Sequence, residues 1–140
     1  MAFIKNTHTF EGLKYNLDDR DRVAASAATQ GLDTGTVTQA TNHATAVTLN
    51  KRAGVITLAA AALANATNAE FTVTNDKVQA DSVILVTTQD ENTTDNTCII
   101  ATVHTIAAGS FIINVNHPDS VGSTSATASK IHFLVINNDS

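Results

Sequence analysis

The chain contains no tryptophan, one tyrosine and one cysteine in 140 residues. Aromatic residues make up 4% and charged residues 15%, well below the quarter usual in soluble domains. The lone Cys98 has no partner for an internal disulfide, which excludes a disulfide-stapled scaffold. Basic residues never gather beyond the pair Lys51-Arg52 and the spaced Arg20 and Arg22, and the formal net charge is −5. Nucleic-acid binding through a basic stripe lacks the charge it needs, and so does a basic amphipathic membrane helix. No apolar run approaches the roughly 18 residues of a membrane-spanning helix. The first twenty residues show no apolar core followed by a small-residue cleavage site, so no signal peptide is expected. The Asn-x-Thr/Ser triplets at Asn65, Asn92 and Asn138 are then chance occurrences in an Asn- and Thr-rich chain.

What is present is Ala, Val, Ile, Leu, Thr and Asn. The hydrophobic fraction of 43% is too high for a plainly disordered chain. A chain of this length buries roughly 68–70% of its unfolded surface, enough for one core without staples. One domain is expected, or one domain with an arm.

Two regimes divide the chain. Residues 1–35 form an amino-terminal arm, and residues 36–140 form the β domain. The arm holds the densest charge, Asp18-Asp19-Arg20-Asp21-Arg22. Asp18 or Asp19 caps a short helix from Val23 to Ala28 that Gly31 ends, or the arm is extended and wraps a neighbour. In the extended form Phe3, Ile4, Phe10, Leu13, Tyr15 and Leu17 are its anchors.

From Thr36 onward the pattern is β. Phe71 and Val73 alternate with Thr72 and Thr74. Phe111, Ile113 and Val115 share one parity, as do Ile131, Phe133 and Val135. Ile99, Ala101 and Val103 oppose Cys98, Ile100, Thr102 and His104. The continuous run Val83 to Val86 suggests a strand covered on both faces. Breakers fall at Lys51 to Gly54, Asn65 to Asn68, Asn75-Asp76, Asp90 to Asn96, Ala108-Gly109 and His117 to Ser125. Seven or eight short strands follow, and the expected fold is all-β, an antiparallel β-sandwich or jelly-roll-like domain. Leu58 to Ala64 (LAAAALA) favours helix by propensity but is short, so it reads as a small-residue strand, or else a single helical turn. A faint internal echo sets a small-residue turn before Phe71 and another before Phe111. Each reads as a hairpin, one for each half of the sandwich.

Motifs for chemistry are missing. There is no nucleophile elbow, no His-Glu-x-x-His, no P-loop and no Rossmann glycine pattern. Cys98 lies between apolar neighbours and reads as a buried structural thiol. His104 and His132 fall on polar parities, from which they would face one another or line an oligomer axis. No spacing announces a metal site. His117-Pro118-Asp119 is turn chemistry, and His8 and His43 are isolated. The oxygen-rich run Asp90 to Asn96 lacks the EF-hand order and reads as a solvated hairpin tip. No cofactor is expected and no enzymatic activity. An enzyme would need a carboxylate pair, for which Glu70, Asp81, Glu91 and Asp95 are the β-domain candidates.

Several stretches nevertheless carry a resemblance. They are Gly35 to Thr41 (GTVTQAT), Ala46-Val47-Thr48-Leu49-Asn50, Ala53 to Leu58 (AGVITL), Ala69 to Asn75 (AEFTVTN), Asp81 to Val86 (DSVILV) and Ile106 to Phe111 (IAAGSF). From about Gly35 to Asn137 the chain resembles a domain of tailed-phage virion proteins, similar to capsid decoration (cement) proteins and other head components. It departs from that pattern at Lys51-Arg52 and in the longer Asp90–Asn96 loop, so no specific surface contact carries over. The resemblance implies a homotrimer on the capsid surface, bound to the major capsid protein and present in the host cytoplasm during assembly. It also implies capsid stabilisation, with Phe3, Phe10, Tyr15, Arg20 and Arg22 of the arm as the contact residues. The alternative it leaves open is a tail, fibre or head-fibre component contacting the host surface.

Overall fold

The computed structural model describes residues 33–64, 66–89, 99–118 and 128–137. The chain divides into two units between Asp33 and Thr34, and all described residues but Asp33 belong to the second. The arm anchors Phe3, Phe10, Tyr15, Arg20 and Arg22 lie outside the described residues, as do His8, Cys98 and the Asp90–Asn96 loop.

Eight strands occur among the described residues: β1 (Thr34–Thr38), β2 (Val47–Thr48), β3 (Ala53–Thr57), β4 (Asn68–Thr74), β5 (Val83–Gln89), β6 (Ile100–Ala107), β7 (Ser110–Asn116) and β8 (Lys130–Ile136). They form two four-stranded sheets, β1-β3-β8-β5 and β2-β4-β7-β6. The fold is all-β, as the period-two patterns require. The pairing is mixed rather than purely antiparallel. β1 runs parallel to β3, and β2 parallel to β4. The cause is the path of the chain, which changes sheets at every step from β1 to β6. A strand regained after an excursion to the other sheet runs in its predecessor's direction. The remaining neighbours pair antiparallel.

One hydrophobic cluster joins inward residues of both sheets. The first sheet contributes Ile56, Ile84, Ile131, Phe133 and Val135, and the second Val47, Phe71, Val73, Phe111, Ile113 and Val115. The parities of β4, β7 and β8 are those of the alternating sequence. Phe111 and Phe133 meet across the cluster with ring centroids 5.6 Å apart and planes tilted by 59°, near the edge-to-face arrangement aromatic pairs favour.

Three local expectations fail, each for a packing reason. Leu58 to Ala64 is neither strand nor helix. Leu58 N–H extends the β3–β8 ladder by one bond, to the Ser129 carbonyl at 2.9 Å, and beyond it the backbone turns away, with Ala61 N–H donating to the Ala59 carbonyl at 2.8 Å. Leu58, Ala59 and Leu63 are buried and plug the core instead. Ala53 and Gly54, read as part of a breaker, begin β3. A Cβ on Gly54 would lie 2.6 Å from Leu49 Cδ2 and 2.8 Å from Phe133 Cε1, so glycine here admits neighbouring side chains. The two echoed strands do not belong to separate halves. β4 and β7 are direct neighbours, with Phe71 opposite Ile113 and Val73 opposite Phe111. Ala108-Gly109 is a tight turn between β6 and β7, where Gly109 takes φ +83°.

Candidate interaction surface

The two sheets differ on their outward faces. In the second sheet the outward positions of β4 and β7 are mostly Asn, Thr and Glu. Asn114 Nδ2 donates to Glu70 Oε1 at 3.1 Å across the strand pair. Ile112 and Ile100 interrupt this polar face. In the first sheet the register places Val83 opposite Ile136 and Leu85 opposite Leu134. Leu134 in turn neighbours Ala53, and His132 neighbours Val55. All of these point away from the core, because their strand neighbours Ile84, Ile131, Phe133 and Val135 point into it. Val83 and Leu85 are each 54% exposed and Ile136 46%.

The strand expected to be covered on both faces is therefore covered on one. Only Ile84 of the Val83–Val86 run is buried. The same face hollows toward β1, forming an open depression of about 310 Å³ from Thr34 and Thr36 to Val55 and His132. At its polar end His132 Nε2–H donates to Gln89 Oε1 at 2.9 Å. Lys130 is the only formal charge among the outward residues of the four strands.

The histidines do not meet. His104 sits on the second sheet, exposed, with Nδ1 2.9 Å from the hydroxyl of its neighbour Thr105. His132 sits on the first sheet. A bulge between Val103 and Thr105 re-aims the β6 side chains at that point. Of the carboxylate candidates, Glu70 lies on β4 and Asp81 in the exposed turn before β5, while Glu91 and Asp95 lie outside the described residues. Among the described residues no group of three or more His, Cys, Asp or Glu could hold a metal ion. No helix among them is long and apolar enough to cross a membrane.

Sequence reasoning missed two buried imidazoles. His117 has no exposed surface, and neither ring nitrogen has a hydrogen-bond partner. Its backbone N–H donates to the Thr67 carbonyl at 3.1 Å, which draws the ring inward beyond the end of β7. His43 is also buried, with Nε2 unpartnered. It sits in a turn closed by Asn42, whose Oδ1 accepts from Ala44 N–H at 2.9 Å. His117 continues the inward parity of Phe111, Ile113 and Val115, a signal hidden by reading His117-Pro118-Asp119 as turn chemistry, whereas no apolar periodicity marks His43.

Burial pushes the His43 imidazole below its ordinary value, and a hydrogen bond with the Ala59 backbone offsets part of that. The folded state thus binds its proton less readily than the unfolded chain. Stability is complete above about pH 6.5, the ordinary histidine value, and falls as pH drops toward the lower folded-state value. Melting temperature measured from pH 8 to pH 5 should fall below pH 6.5, and less steeply in a His43→Gln variant. Equal pH slopes for the two proteins would remove His43 as the cause.

No protein-family model, curated protein or solved structure matches this chain. The functional reading therefore rests on the outward face of the first sheet and on the sequence resemblance.

Proposed function

We propose that the chain is a non-enzymatic assembly protein of a phage virion, a capsid decoration protein that binds the head's outer surface and stabilises the lattice. The observation that supports this most is the exposed apolar cluster Val83, Leu85, Leu134 and Ile136 on the nearly uncharged outward face of the first sheet. A contiguous exposed apolar patch of this kind fits contact with another protein surface. In this reading the two sheets close face to face as a sandwich and act as a rigid spacer. The arm residues Phe3, Phe10, Tyr15, Arg20 and Arg22 bind the major capsid protein, and the β domain contacts copies of itself. Stabilisation follows by linkage, since a protein that binds the assembled shell and not its free subunits shifts the balance toward the shell.

The test uses heads purified without this protein. Added protein should co-sediment with them saturably and raise the temperature at which they release DNA. A Phe3→Ala, Phe10→Ala double variant should bind tenfold or more weakly. No binding together with an unchanged release temperature overturns the proposal.

A further inference from the structure

We infer that one end of the β domain is an acid-released latch. A proton taken up by His43 frees the loop 39–46 from the plug 58–64, and that end opens while the opposite end stays closed. The latch is independent of the capsid role, since it concerns how the domain holds itself shut.

The two buried imidazoles belong to the same end of the two sheets. In the first sheet that end is Thr38, Thr57, Lys130 and Gln89, neighbours in register. In the second it is Asn68, Asn116 and Ile100. Ala101 N–H donates to Thr88 Oγ1 at 3.2 Å, which sets the two ends side by side. His43 lies in the loop that opens with Gln39, and His117 directly follows Asn116. Among the described residues, the buried side-chain atoms without a partner are His43 Nε2 and both ring nitrogens of His117. Asn75 and Ser82, buried at the opposite end, are hydrogen-bonded. A neutral imidazole carries one N–H, so the His117 ring leaves a donor unmet in the closed form. The end that holds it opens most readily.

His43 supplies the pH dependence. With Nε2 unpartnered, the hydrogen bond to the Ala59 backbone falls to Nδ1. The neutral ring fits that arrangement with its proton on Nδ1. A second proton goes to Nε2, which meets no acceptor. No charge compensates for it either. The titratable residues of the eight strands are Glu70, His104, Lys130 and His132. Glu70, Lys130 and His132 take outward positions, and His104 is exposed. Apart from His43, residues 39–46 and 58–64 include no titratable side chain. The charged ring is therefore satisfied only by water, and it must swing out to reach it. Gln39 transmits the movement. Its amide holds the carbonyls of His43 and Thr45, and its Oε1 accepts from Ala59 N–H. Loss of His43 from this set loosens Ala59 and the buried Leu58 and Leu63 beside it. Acid thus uncovers an apolar surface that neutral pH hides.

Amide exchange of the full chain, followed by NMR at pH 7.5 and pH 5 and corrected for intrinsic rates, tests this. Protection at Thr45, Leu58 and Ala59 should fall about tenfold at pH 5. A single histidine of ordinary value 6.5 sets a ceiling of about thirtyfold there. Asn75, Val78 and Gly109, whose N–H groups bond at the opposite end, should change by less than about twofold. His43→Gln keeps a polar side chain and cannot titrate, so it should abolish the fall. His132→Gln should leave the fall in place. If His43→Gln lacks protection already at pH 7.5, the wild-type His43 ring is titrated instead. Its midpoint must lie below 6.5, and protection must be lost along the same curve. Three results overturn the inference: no fall, a fall shared equally by both ends, or a fall that a folded His43→Gln variant retains. A ring that titrates at or above 6.5 overturns it as well.

Discussion

Phe111→Ala will cost the β domain about 3–5 kcal/mol, the loss typical of a fully buried aromatic. Phe111 is 1% exposed and sits near the start of β7, opposite Val73 of β4 and Ile106 of β6. Its ring meets Phe133 of the other sheet. Truncation removes the aromatic contact between the sheets and leaves a cavity that stiff, β-branched neighbours such as Val73 and Ile113 fill poorly. Against a total stability of about 5–15 kcal/mol this is about a fifth or more of what holds the domain folded. Urea unfolding followed by circular dichroism measures it. Phe133→Ala should cost a similar amount, and the double variant less than the two added, because both remove one shared contact. A loss under about 1 kcal/mol for Phe111→Ala would mean the two sheets do not share this core.

The second large effect is polar. Gln39 follows β1 directly and is 3% exposed. Its backbone N–H donates to the Thr57 carbonyl at 2.9 Å, extending the β1–β3 ladder by one bond. Its side-chain amide donates to the Thr45 carbonyl at 2.9 Å and the His43 carbonyl at 3.3 Å. Its Oε1 accepts from Ala59 N–H at 3.3 Å. One side chain thus satisfies backbone groups of two loops that have left their ladders. Gln39→Leu keeps the volume and strands those groups, each worth about 1–3 kcal/mol when buried without a partner. The expected loss is about 3 kcal/mol or more, with faster amide exchange at Ala59. Gln39→Glu retains the acceptor and should keep the Ala59 protection while losing the two donated bonds. A Gln39→Leu variant as stable as the wild type would show that water replaces the amide.

Alternation made β4, β7 and β8 legible in the sequence, because one buried face and one outward face impose a period of two. Val83 to Val86 hid its outward residues because every member is apolar, and periodicity cannot assign a face to a continuous run. The outward residues Val83 and Leu85 therefore read as covered although each is 54% exposed. Parallel pairing of β1 with β3 was illegible as well, since sheet order depends on which strands meet across the chain. Leu58 to Ala64 favours helix by propensity and reads as a small-residue strand by context, and it is neither, because tertiary burial of Leu58 and Leu63 decides its path. Several of the resemblance's residues turn out to hold the loops. Asn75 is fully buried, donates from Nδ2 to the Lys51 carbonyl at 2.7 Å, and from its backbone N–H to the Gly109 carbonyl at 2.8 Å. Asn137 Nδ2 donates to the Lys77 carbonyl at 3.0 Å, and Ser82 Oγ donates to Asn137 Oδ1 at 2.7 Å. These side-chain contacts explain why Asn stands at 75 and 137, and the positive φ explains Gly109, independently of what the domain binds.

The most direct test of the capsid role is the copy number of this chain relative to the major capsid protein in purified particles, by quantitative mass spectrometry. Decoration predicts hundreds of copies, close to one per capsid subunit. A handful of copies would contradict it and place the chain on the tail or at a vertex, and complete absence from particles would contradict any structural role in the virion.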